Sequence, residues 1–172
     1  MKFLSGCAAL GVLAGGIVFA QDVKTDYDHH ADFGKYRTYS WASVQTKDPL
    51  WVDRIKGAVN RELTAKGWMM VPSGGDASLV AIETTQEKQT LDTFYNDMPG
   101  WRWGGFGDAT TTTETYKVGT LVVDIFDAKT KKLMWRGSSK DTISGKPEQN
   151  EKKLDKGVMK MFDHFPPSAP KS

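Results

Sequence analysis

The sequence predicts an α+β fold: a two-layer sandwich in which a mainly antiparallel sheet of four to five strands carries two helices on one face, in the order β-α-β-β-β-α. Three observations predict it. The run from Gly119 to Gly137, GTLVVDIFDAKTKKLMWRG, has apolar residues alternating with a period of two on either side of a turn from Asp127 to Lys131, the signature of a β-hairpin. Residues 48–66 and 148–165 each place apolar side chains at spacings of three and four, the signature of an amphipathic helix. In the hairpin, Leu121, Val123 and Ile125 define an apolar face, and only those two stripes offer a cover for it.

Taken in order, residues 1–20 read as a secretory leader, with Lys2 at its start, an apolar run from Ala8 to Ala20, and Val18 and Ala20 at the small-residue positions before a cut. That run is shorter than the roughly 20 apolar residues a spanning helix needs. Leu4-Ser5-Gly6-Cys7 has the look of a lipobox, yet only Met1, Lys2 and Phe3 precede it. Cys7 is therefore read as leaving with the leader; a lipid anchor there requires an apolar segment ahead of it, hence a start site upstream. Residues 21–167 then form one domain, and 168–172 a flexible tail.

Within the domain, Asp22 to Asp28 alternates weakly and suits an edge strand, and Thr38 to Trp41 are strand formers. Asp48-Pro49 opens the first helix, an acceptor side chain followed by a proline that suits the first turn. Ile55, Val59 and Leu63, with Trp51 or Val52, make its stripe, and Gly67 closes it. Trp68 to Val71 returns toward the sheet, and Ala77 to Lys88 is the next strand. From Thr90 to Gly107 regularity fails, and PGWRWGGFG is glycine-rich enough to read as a loop. Thr110 to Val118 leads into the hairpin as one long strand, whose partner runs on to about Ile143. Glu148 to Phe165 is the second helix, with Leu154, Val158, Met161, Phe162 and Phe165 on its stripe and Pro166-Pro167 as its stop.

Composition narrows the function classes. Loss of Lys2 with the leader brings 23 basic residues to 22 against 21 acidic ones, so no basic field for nucleic acid exists. The one cysteine is Cys7, which leaves the domain without thiol chemistry or a disulfide. No cofactor motif is present, and neither a Gly-x-Ser-x-Gly elbow nor a His-Glu-x-x-His pair occurs.

Three groups of residues are candidates for function. Asp26, Asp28, His29 and His30 are ligand types for a divalent ion, with His164 the one further donor identified. Adjacent imidazoles on an extended chain point opposite ways, however, so the reading is a solvated turn and no metal. Asp124 and Asp127 stand three apart, which on a strand means opposite faces; Asp124 is expected to pair with a nearby Lys or Arg and Asp127 to shape the turn. Trp101, Arg102, Trp103 and Phe106 lie on the glycine-rich loop. Such tryptophans either fold back over the core as a lid or meet a partner or ligand, with Arg102 as the polar contributor. Lys152, Lys153 and Lys156 read as a charged helix surface.

Asp32-Phe33-Gly34-Lys35-Tyr36-Arg37-Thr38-Tyr39-Ser40-Trp41, the run Gly119 to Gly137 and Phe165-Pro166-Pro167 together resemble domain-of-unknown-function family 4136 of bacterial exported proteins. The resemblance implies an exported envelope protein, often a lipoprotein, and no catalytic residues to carry over. The functional expectation is a non-enzymatic module of the periplasm that binds an envelope protein or envelope component. A binder of a glycan or lipid-like molecule through the aromatic loop stands second, and a hydrolase third.

Overall fold

The computed structural model describes residues 21–95 and 109–167. Strand β1 (Asp22–Tyr27) leads through a short 3-10 turn (Phe33–Lys35) to β2 (Thr38–Gln45) and helix α1 (Leu50–Ala65). There follow β3 (Met69–Met70), β4 (Ala77–Tyr95), β5 (Ala109–Asp127), β6 (Leu133–Thr142) and helix α2 (Pro147–Phe162). The strands form one six-stranded sheet in the order β1-β6-β5-β4-β2-β3.

This corrects the expected four- to five-stranded, mainly antiparallel sheet and the expected β-α-β-β-β-α order, which is β-β-α-β-β-β-β-α. The two-residue β3 is a strand in its own right, and β2 runs parallel to both β3 and β4, so the sheet is mixed. The cause is α1: a helix spanning the length of the sheet between β2 and β4 returns the chain to its starting edge, and the next strand must run the same way. The hairpins β4–β5 and β5–β6 and the β1–β6 pair are antiparallel.

Both helices lie on the face carrying Leu79, Ala81, Leu121, Val123, Ile125 and Trp135, all of which are buried. From α1 come Ile55, Ala58, Val59 and Leu63; from α2 come Val158, Met161 and Phe162. Arg54 to Glu151 and Arg61 to Asp155 link the helices across their exposed edge. Asp48 Oδ1 accepts from the Leu50 amide at 3.0 Å, which satisfies one free donor of the first turn of α1. Gly67, at φ +83°, ends that helix where a side chain would be strained.

Aromatic rings fill the end of the core beneath the C-terminus of α2. Phe165 meets Phe33, Trp68, Trp135 and Phe162 at centroid distances of 5.7, 5.3, 5.4 and 5.4 Å, mostly edge to face. The second helix stops at Phe162, three residues short of its expected end, and Phe165 reaches the core from the turn that follows. Three of these five rings, Phe33, Trp135 and Phe165, lie in the segments that carry the family resemblance.

The β4–β5 pair departs most from expectation. Its register continues unbroken from Ala77 opposite Asp127 to Tyr95 opposite Ala109, so the expected loss of order from Thr90 begins only after Tyr95. The β6 strand leaves β5 at Val118, and β2 leaves β4 at Ile82. The nine residue pairs from Glu87–Lys117 to Tyr95–Ala109 therefore form a two-stranded ribbon reaching about 30 Å past the sheet.

Candidate functional site

Trp101, Arg102, Trp103 and Phe106 fall within 96–108 and Cys7 within 1–20, both outside the described residues. What the structure gives for the first group is its roots, Tyr95 and Ala109, paired at the far end of the ribbon.

The Asp26 to His30 segment ends β1 and turns. Asp28 accepts the His30 amide at 2.9 Å and pairs with Lys132 at 3.7 Å, and the His29 ring lies 4.4 Å from Tyr27. Among the described residues no group of three or more His, Cys, Asp or Glu side chains converges as a metal site.

Asp124 and Asp127 point to different tasks, as their spacing predicts. Asp124 is buried on the sheet face away from the helices and takes both prongs of Arg136. Asp127 organises the β5–β6 turn, accepting the amides of Lys129 and Thr130 at 2.8 and 2.6 Å and the Tyr36 hydroxyl at 2.7 Å. The Thr130 amide, followed by the Tyr36 hydroxyl, holds the Asp127 carboxyl down to about 2. Burial and the same hydrogen bond push the Tyr36 phenol up to about 12. A carboxylate near 2 and a phenol near 12 stand far from the poise of a general acid–base pair at neutral pH, which makes this pair a clasp between turn and body.

A cleft of about 330 Å³ lies between the N-terminal halves of α1 and α2 and the sheet where the ribbon departs. Trp51 and Ile55 of α1, Leu154 of α2, Gly119 and Leu121 of β5 and Ile143 give it apolar walls. Its polar groups are tied together. Glu83 accepts the hydroxyls of Thr46 and Thr85, both at 2.9 Å. Lys153 donates to the Thr142 carbonyl at 2.7 Å and hydroxyl at 3.0 Å, and lies 3.3 Å from Asp141. Gln21 Nε2 donates to the Lys153 carbonyl at 2.8 Å, while Gln21 Oε1 is buried with no partner among the described residues.

Lys153 thus corrects the reading of a merely charged helix surface. It turns inward and joins the end of β6 to α2. A signal for this existed, because Lys153 sits beside Leu154 on the stripe that also holds Gly157, Val158 and Met161. Gln21 and Glu83 had no comparable signal, since each is an isolated polar residue in a strand or before one.

The sheet order and helix placement define a mixed α+β domain. The chain belongs to the family described as Domain of unknown function (DUF4136), which matches residues 23–167. No curated protein matches it in sequence. Among solved structures it is similar to a PDZ domain protein from Parabacteroides distasonis at 13% identity and TM-score 0.58, covering 86% of this chain and 36% of that one. The chain thus spans about a third of that protein's length. It also matches the PelC dodecamer from Paraburkholderia phytofirmans at 12% identity and TM-score 0.47, over 83% of this chain and 97% of that one. The lipoprotein GNA1162 from Neisseria meningitidis matches at 13% identity and TM-score 0.39, over 74% and 99%.

Proposed function

We propose that the chain is an exported, envelope-associated, non-enzymatic module that binds an envelope protein or envelope component through the segment held by the β4–β5 ribbon. One observation carries this reading. Nine residue pairs run beyond the last third strand, and an isolated two-stranded ribbon is marginally stable, so the domain spends ordered chain on carrying Tyr95 and Ala109, the residues that flank 96–108 in sequence, about 30 Å from the rest of the sheet. A segment needed only as a lid gains nothing from that distance. The leader-like residues 1–20 and membership of a family whose resemblance implies export support the location. No helix among the described residues is long and apolar enough to cross a membrane.

The test is crosslinking of the tagged protein in its own cells beside the Trp101→Ala/Trp103→Ala variant. A defined envelope component joined to the parent chain and lost in the variant supports the reading. Identical products from both chains would remove the ribbon segment as the contact.

A further inference from the structure

We propose that Gln21, the residue that a cut after Ala20 places at the amino terminus, is a cyclisation site that the folded domain holds shut and that unfolding opens. The inference rests on the leader reading of residues 1–20, with Val18 and Ala20 before the cut, and not on the ribbon.

An amino-terminal glutamine can close on itself. Its neutral α-amine attacks Cδ of its own side chain; the N–Cδ bond of a five-membered lactam forms, the Cδ–Nε2 bond breaks, and Nε2 leaves as ammonia with a proton from the amine. Nothing is oxidised or reduced, and no co-reactant is needed. Two conditions must be met. Cδ must come within reach of the amine, and the charge that develops on Oε1 must find a donor or water.

The fold works against both. Gln21 immediately precedes β1, whose Asp22 lies opposite Lys140 of β6, so the backbone beside it is fixed. Its side chain is held on α2, where Nε2 donates to the Lys153 carbonyl at 2.8 Å. Nε2 packs so close to that helix that a Cβ on Gly157 would lie 2.7 Å from it. Oε1 is buried and has no partner among the described residues, so an oxyanion forming there would be dry and unpaired. Closure therefore requires the bond to Lys153 to break and the side chain to leave the wall of α2. A chain that folds soon after the cut keeps its glutamine open. One that stays unfolded closes, and the lactam, which lacks Nε2, cannot remake the bond to Lys153.

The intact mass of the protein purified after export reads both the first residue and any loss of ammonia. The expected first residue is Gln21, with its side chain open. At about pH 8 much of the α-amine is neutral. There the folded chain should lose ammonia about ten-fold more slowly than the same chain in guanidinium chloride, the ratio expected when one intramolecular hydrogen bond must break first. A chain one residue longer, starting at Ala20, cannot close and is the blank. Gly157→Ala, whose Cβ displaces Nε2, should close faster than the parent at a temperature where its melting curve shows it folded; the parent comparison stands whether or not that variant folds. Equal rates for the folded and denatured parent, an exported chain already present as the lactam, or a folded Gly157→Ala chain no faster than the parent would overturn the proposal. A first residue other than Gln21 would overturn the cut and this site with it, and leave the ribbon contact to its own test.

Discussion

Arg136 lays its guanidinium along Asp124 in a two-pronged pair, Nε to Oδ1 at 2.6 Å and a terminal nitrogen to Oδ2 at 2.7 Å, directly across from each other on β6 and β5. The carboxylate is 6% exposed and the guanidinium 53%, so one partner is buried and the other covers it. Arg136→Ala strips the cover and leaves a buried charge unpaired. It should cost about 1 to 3 kcal/mol by denaturant unfolding. In the Asp124→Ala/Arg136→Ala double variant the loss should be smaller than the sum of the single losses, because the pair acts as a unit.

Gly157 sets how closely α2 approaches β6. A Cβ there would collide with Ser139 Oγ and lie 2.7 Å from Gln21 Nε2 and 3.0 Å from Ser139 Cβ. Helix propensity alone favours Gly157→Ala by about 1 kcal/mol. Overpacking costs about 1 to 3 kcal/mol, so the variant should be less stable. Adding Ser139→Ala should recover part of the loss; a stabilised single variant would show that α2 has room to spare.

The ring cluster is the densest part of the core. Trp135 is buried between β6 and α2, with its ring 4.7 Å from Phe162 and 5.4 Å from Phe165. Trp135→Ala should lower stability by about 3 to 5 kcal/mol. An unchanged melting temperature would contradict the packing.

The clasp of Tyr36 and Asp127 gives stability a pH dependence at both extremes. The Asp127 carboxyl is held at about 2 in the fold, below its ordinary value of 3.8, so its contribution is present above pH 4 and is lost as pH falls toward 2. Tyr36 is raised from 10.0 to about 12, so unfolding releases its proton between those values and stability falls across that interval. Tyr36→Phe should remove part of the alkaline slope. Tyr39, which burial also raises to about 12, contributes to the same slope. Asp127→Asn should flatten the acid limb in unfolding curves taken from pH 4 to 2.

Replacing residues 88–116 by a tight turn between Glu87 and Lys117 tests whether the ribbon belongs to the folding unit. No described core side chain lies in that stretch. The melting temperature should move by less than about 4 °C, the shift expected for 1 kcal/mol in a domain of this size.

How far the sequence foretold this depends on where each residue's signal lies. The stripes of Ile55, Val59 and Leu63 and of Val158, Met161 and Phe162 carry their periodicity locally, and both helices stand where that periodicity puts them. Gly67 and Asp48 mark ends through conformational and hydrogen-bonding preferences that need no tertiary partner. The ribbon was legible only in part, since its threonines and charges alternate without an apolar face and the period of two leaves no trace. Parallel pairing of β2 with β4 is a property of the crossover as a whole. The cleft brings Gln21, Glu83, Asp141 and Lys153 together from four distant segments, and no local pattern announces such a meeting.

The pairing of β1 with β6 has a consequence for how the molecule is made. Asp22 faces Lys140, and Gln21 is held by α2 through the Lys153 carbonyl. The first strand of the domain can complete its hydrogen bonds only after nearly the whole domain has emerged. Its closure spans over a hundred residues, which slows folding more than it weakens the folded state, because loop-closure entropy grows only logarithmically with length. Until then the outer edge of β6 is bare, and a chain handed across a membrane unfolded would close that edge as one of its last acts on the far side.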